Sequence, residues 1–261
     1  MNSSDSSSVP RIGFLDSGVG GLSVWWEAAH RLPHLQTVYL ADRLHCPYGP
    51  RPPDEVRSLV ADAVRTLRER GCTAIVLACN TATAAAVDFL RHADPEFPYI
   101  GMEPAVKPAA LRSSTGAVGI LATAGTYQGR LFRGTAERYA HNVRLVTRDA
   151  GDLVPFVERG ELDTPALRAA IECHLAPMRE ANVDAIVLGC THFPFLKATI
   201  QAVAGNGVPL IDPAPAVVRQ LARVLGLTLS EGNMPPLPSP ADILSRIASS
   251  TDHLLLDTTK R

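Results

Sequence analysis

"AIVLACNTATA" at residues 74–84 and "AIVLGCTHFPF" at residues 185–195 decide how this chain folds. Each opens with a short apolar run suited to a strand buried on both faces, and each reaches a cysteine where that run stops. The residues just past the cysteine differ: Asn80 and Thr81 in the first copy, Thr191 and His192 in the second. One phrase written twice, with Cys79 and Cys190 111 positions apart, marks an internal repeat.

Working outward, "RIGFLDSGVGGLSVWWEAAHRL" reads as a buried strand, a Gly-rich turn and a helix beginning near Leu22. "TVYLAD" is a second strand, and "PDEVRSLVADAVRTLRER" places Val56, Leu59, Val60, Val64 and Leu67 at helical spacing before Gly71 stops it. The second half repeats this programme. "AVGILAT" parallels "RIGFLDS", with Gly13 and Gly119 106 positions apart, and "VRLVTR", "ALRAAIECHLAPMREA" and "AIVLGC" come next as strand, helix and strand. Alternating strands and helices predict an α/β fold: two similar parallel-sheet α/β domains related by a pseudo-two-fold, with the active site in the cleft between them. The expected boundaries are a disordered Ser-rich tail at 1–10, a first domain from 11–106 plus 214–261, and a second domain at 107–213. "AVVRQLARVL" after Pro215 is expected to return to the first half, and beyond 228 only a short helix at "ADILSRIA" is legible.

Composition narrows the class. Hydrophobic residues make up 46% and charged residues 20%, as in an ordinary globular protein, and the net charge of -1 has no basic run behind it. Nucleic acid and membrane are therefore excluded as main partners, no apolar stretch reaches the roughly 18 residues of a membrane span, and a cytoplasmic location is expected. The five cysteines are odd in number and contain no Cys-x-x-Cys pair, so neither a disulfide framework nor a structural zinc site is expected.

The chemistry starts at the two cysteines. Each sits where a strand ends and a helix should begin, and the positive end of a helix favours thiolate over thiol. One such cysteine could be a small buried hydrophobe; two at equivalent places in a repeat point to a reaction with a base on one side of a substrate and an acid on the other. Inversion at an α-carbon is such a reaction. "CNTAT" and "CTH" add short hydrogen-bonding side chains and free helix-start N–H groups suited to a carboxylate. "DSGVGG" lets backbone approach closely, and a phosphate site there lacks the lysine and spacing of a P-loop.

"LDSGVGGLSV", "CPYGPRP", "LACNTATA", "GILATAGT", "LVPFVERG" and "LGCTHFPFL", in this order over about residues 11–215, resemble the signature stretches of glutamate racemases in the cofactor-independent aspartate/glutamate racemase superfamily. The resemblance implies interconversion of L- and D-glutamate for peptidoglycan synthesis with no cofactor and no metal, by a homodimer. It implies Cys79 and Cys190 as the two acid/base thiols, with Asp16 assisting Cys79, His192 assisting Cys190, and Glu158 as an additional acidic residue nearby. Substrate contacts implied are Asp16, Ser17, Tyr48, Gly49, Asn80, Thr81, Thr123, Thr191 and His192. The residues alone leave alternatives open: Asp16 as a helix cap, His192 as a structural histidine, Glu158 as a surface charge, and Tyr48 as wall or lid. A Schiff-base cofactor finds little support, since the only lysines are Lys107, Lys197 and Lys260 and none lies in a recognisable phosphate cup. Competing functions are an aspartate or hydantoin racemase, a Cys190/His192 amidase needing a single thiol, and a carboxylate-binding module.

Overall fold

A computed structural model describes residues 9–250 and the strand at 253–257. The tail expected at 1–10 lies outside the described residues up to position 8. In chain order the elements are β1 (Arg11–Asp16), α1 (Leu22–Arg31), β2 (Gln36–Ala41), α2 (Pro53–Glu69), β3 (Ala74–Leu77), α3 (Asn80–Ala93) and β4 (Tyr99–Ile100). The second run is α4 (Val106–Arg112), β5 (Ala117–Ala122), α5 (Ala124–Tyr127), α6 (Arg130–Tyr139), β6 (Arg144–Asp149), α7 (Val154–Glu158), α8 (Pro165–Glu180), β7 (Ile186–Gly189), α9 (Lys197–Ala204) and β8 (Leu210–Ile211). The chain continues with α10 (Ala214–Leu225), α11 (Pro240–Ser249) and β9 (His253–Asp257).

Two parallel sheets result, ordered β4-β3-β1-β2-β9 and β6-β5-β7-β8. Read from the other edge, the second is β8-β7-β5-β6, which matches β4-β3-β1-β2 strand for strand. The repeat seen in the sequence is thus a repeat of topology. All strand residues of β3, β5 and β7 are buried, as a sheet covered by helices on both faces requires. Gly13 and Gly119 hold equivalent places for one reason: an added Cβ would come within 3.0 Å of Leu67 on α2 at the first and 2.6 Å of Met178 on α8 at the second. Each absent side chain lets a helix pack directly onto its sheet.

The amphipathic helices match their patterns. α2 has Pro53 at its start and Asp54 and Glu55 in its first turn, and it buries Val56, Val60, Ala63, Val64 and Leu67. It ends before Gly71, whose φ of +77° suits glycine. Thr164 caps α8 by accepting the Leu167 N–H at 3.2 Å. After Pro215, α10 packs on α1 and β9 then pairs with β2. Among the described residues no helix is long and apolar enough to cross a membrane.

Candidate active site

In each sheet the chain leaves the first strand towards one neighbour and the third strand lies on its other side, so helix crossovers diverge at β1/β3 and β5/β7. Ligands of open α/β sheets bind at the carboxyl ends of strands at such a point. Ser17, Cys79, Thr123 and Cys190 come just after β1, β3, β5 and β7, and they meet in one small cavity with Tyr48, Gly49, Asn80, Thr81, Thr191 and His192. Its volume is about 20 Å³, room for about one water molecule. A roomier cavity of about 700 Å³ between α1, α10 and residues 229–237 contains neither cysteine.

Hydrogen bonds between the two halves hold this cavity shut. Asp16 accepts the Thr191 hydroxyl at 3.0 Å, the Val19 N–H donates to Glu158 Oε1 at 2.8 Å, and Ser23 donates to the Thr191 carbonyl at 3.1 Å. Thr81, Thr123 and Thr126 share a hydroxyl triangle with edges of 2.9, 3.0 and 3.3 Å. Gly21 packs on its own half, where a Cβ would stand 2.7 Å from Asp16 Cβ, but Gly18 and Gly20 of "DSGVGG" serve this closure rather than a phosphate: a Cβ on Gly18 would overlap Glu158 Oε1 and one on Gly20 would overlap His192. Close backbone approach is real, but its object is the other half of the protein.

The two thiols sit in unlike settings. Cys79 is the N-cap of α3, with extended φ and ψ of -146° and 123° and no side-chain capping bond. From sequence, this helix start was expected to favour thiolate. Burial outweighs it, with the Asp16 carboxyl adding to the effect, so the Cys79 thiol is pushed well up from its ordinary value. Cys190 corrects the expectation in another way, because no α-helix starts at it. Pro194 lies in a 3-10 turn over Phe193–Leu196, and α9 begins only at Lys197. Its neighbour is instead His192, whose Nδ1 lies 3.6 Å from Cys190 Sγ.

His192 Nε2 donates to Glu158 Oε1 at 2.7 Å, and Arg43 stands 3.5 Å from Glu158 Oε2. Burial would lower the imidazole's basicity, but its bonds to Cys190, Cys46 and Glu158 hold it well above the ordinary histidine range. Burial likewise disfavours ionised Glu158, yet His192, the Val19 N–H and Arg43 keep it below the usual carboxylate value. A line of Cys190, the His192 ring and the Glu158 carboxyl results. On the other side Asp16 is fully buried and its acidity is weakened chiefly by desolvation.

Of the residues expected at the site, Ser17, Tyr48, Gly49, Asn80, Thr81, Thr123, Thr191 and His192 line the cavity with both cysteines. Asp16 and Glu158 stand behind that lining, holding Thr191 and His192. The Tyr48 O–H is engaged, donating to Asp42 at 2.7 Å. Asn80 is the reverse case: both polar atoms of its side-chain amide are buried with no partner among the described residues, a state that normally costs about 1–3 kcal/mol. Thr126, Asp42, Arg43 and Cys46 were missed as neighbours of the site. Cys46 was visible in "CPYG", but as one more free thiol it carried no signal of its own.

The geometry can be set beside known proteins. Residues 26–221 match the model of the Asp/Glu/hydantoin racemase family. A glutamate racemase of Pseudomonas putida is 45% identical over 215 residues, 82% of this chain and 81% of that protein. One from a Roseiflexus species is 43% identical over 85% of this chain and 81% of its own length. The crystal structure of Escherichia coli glutamate racemase, in complex with L-glutamate and the activator UDP-MurNAc-Ala, aligns over 96% of this chain and 98% of its own with a TM-score of 0.80 at 30% identity. The chain belongs to the Asp/Glu/hydantoin racemase family and is an amino-acid racemase, an isomerase.

Proposed function

We propose that this protein interconverts L- and D-glutamate by a two-thiol mechanism in which Cys79 and Cys190 act on opposite faces of the α-carbon. The observation that carries this reading is that one small cavity receives one buried thiol from each copy of the repeat. One cysteine, as thiolate, removes the α-proton; the other, as thiol, returns a proton to the opposite face; the reverse reaction exchanges their roles. His192, backed by Glu158, stabilises charge at Cys190, while Asp16 is the acidic group beside Cys79. The incoming α-ammonium supplies the positive charge that Cys79 lacks in the empty cavity. Asn80 and the first N–H groups of α3 offer a cradle for a substrate carboxylate, and water exclusion strengthens each of these interactions.

Glutamate does not fit in about 20 Å³, so the reading includes an opening of the two halves, the bodies being 11–106 with 214–261 against 107–213. The same reading puts the enzyme in the cytoplasm, as a homodimer, supplying D-glutamate for peptidoglycan. Glutamate rather than aspartate as substrate is supported by the names of the Pseudomonas, Roseiflexus and Escherichia relatives.

Proton NMR with L-glutamate in heavy water, with L- and D-aspartate in parallel, tests the proposal. The glutamate α-proton signal should disappear as D-glutamate accumulates. Cys79→Ala and Cys190→Ala should each abolish racemisation in both directions. Turnover by Cys79→Ala would instead support a one-thiol Cys190/His192 hydrolase, and binding of glutamate without exchange would leave a carboxylate-binding module.

A further inference from the structure

Outside the pair of reacting thiols, a third cysteine faces the same histidine. Cys46 Sγ lies 3.7 Å from Glu158 Oε1, and that oxygen is 2.7 Å from His192 Nε2. One donor atom from each of Cys46, Glu158 and His192 falls within 4.8 Å of the others. We propose that Cys46, Glu158 and His192 form an inhibitory binding site for a thiophilic divalent cation of the zinc type, entered from the protein surface.

The chemistry of the donors selects the ion. A tetrahedral zinc with bonds of about 2.0–2.3 Å to sulfur, nitrogen and oxygen sets its ligands roughly 3.3–3.7 Å apart. The thiol and carboxylate already satisfy that spacing, and the imidazole needs to part from Glu158 by less than about 1 Å to make room. A mixed sulfur, nitrogen and oxygen set suits zinc or cobalt and disfavours magnesium and calcium, which take oxygen ligands. Two anionic ligands balance a dication. Arg43 faces Glu158 Oε2, so Oε1 can turn to a metal while Oε2 keeps its cation. Arg43, Cys46, Pro47, Pro155 and Glu158 line an open groove of about 470 Å³, which gives the ion a route in and leaves a fourth position to water. Binding displaces the Cys46 thiol proton and the proton on His192 Nε2, and both pass to solvent.

The consequence for turnover rests on the proposed role of His192. With Nε2 on the metal, Nδ1 can still face Cys190, but the bond from Glu158 that backs His192 in stabilising charge at Cys190 is lost. The metal then acts as a brake, not as a cofactor.

Metal-free protein titrated with cobalt(II) should develop a near-ultraviolet thiolate-to-cobalt charge-transfer band and visible bands of tetrahedral intensity, saturating at one ion per chain and discharged by zinc. The bands should be lost in Cys46→Ser and kept in Cys190→Ala and Cys173→Ser. In the racemase assay, zinc should inhibit the unaltered protein, and Cys46→Ser should need at least about tenfold more zinc for the same inhibition, as expected for loss of a ligand-shell contact. Absence of the bands, or bands and inhibition unchanged by Cys46→Ser, overturns the site. If cobalt binds through Cys46 in a protein that does not racemise glutamate, the site stands and the functional reading falls.

Discussion

Replacing Glu158 with glutamine isolates what a carboxylate behind the histidine contributes. Glu158 Oε1 accepts two N–H groups, from Val19 at 2.8 Å and His192 at 2.7 Å, and Oε2 faces Arg43 at 3.5 Å. Glutamine keeps the volume and one carbonyl acceptor, so both bonds to Oε1 can persist while the charge is lost. Hydrogen bonds involving an ion contribute about 1.5–3 kcal/mol and neutral ones about 0.5–1.5, so the imidazolium loses about 1–1.5 kcal/mol. At about 1.4 kcal/mol per decade, kcat/KM falls roughly 5- to 15-fold. Enantiomers have equal free energy, so the equilibrium constant of racemisation is unity and kcat/KM must fall equally from either side, although kcat and KM separately need not. Initial rates by circular dichroism with each enantiomer, alongside thermal melting, measure this. A change below about twofold in a folded variant would show that Glu158 does not act through His192. A loss beyond about 10³-fold with unchanged melting would place the carboxylate on the reacting atoms, far above what the lost charge alone accounts for.

Asn80→Ala should raise KM about tenfold or more, because a ligand loses the unpaired amide, while the empty protein melts no lower; a melting temperature several degrees lower with unchanged KM would refute this. Gly20→Ala puts a methyl group into His192, an overpacking of about 1–3 kcal/mol. It should cut kcat/KM about 10- to 100-fold with native circular dichroism retained, and an active Gly20→Ala would show that His192 need not keep its position. Asp184 accepts N–H groups from Ser114 and Thr115 and hydroxyls from Ser113 and Ser114, and these bonds outweigh desolvation to bring its carboxyl down to about 2. Its stabilisation is present above the unfolded value near 3.9 and is lost as pH falls through the folded value. Discounted for exposure to about 1 kcal/mol, Asp184→Asn should lower Tm by about 2–4 °C at neutral pH, with the difference vanishing towards about pH 2. A Tm difference independent of pH would count against a charge effect at Asp184.

The sheets were legible because buried parallel strands are written as uninterrupted apolar runs, and "AIVL" before each cysteine is such a run. β4, at Tyr99–Ile100, has two residues between proline and glycine, too few to show a period, and β9 comes after a Pro-rich stretch without any local cue of a partner. Pairing with β2 across more than two hundred positions is a tertiary fact. At the site, both cysteines, Ser17, Asn80, Thr81, Thr191 and His192 could be read from their places just past strand ends, whereas Tyr48, Gly49 and Thr123 came only through the family resemblance. The upward push on the Cys79 thiol could not be read, because helix-start polarity was visible in the chain and full desolvation was not. Glu158 looks like a surface charge in isolation; only its three-dimensional meeting with Val19, Arg43 and His192 gives it a place in the site.

β9 also bears on how this protein comes into being on the ribosome. The four strands of the second sheet fall within positions 117–211, so that sheet has all its members well before His253 is added. The first sheet begins at Arg11 yet receives its outer strand from His253–Asp257. Until that segment leaves the exit tunnel, β2 stands as an uncovered edge able to recruit another chain. Early release of a truncated product would leave that edge open for good, so β9 acts as a guard against mis-association as well as a part of the fold.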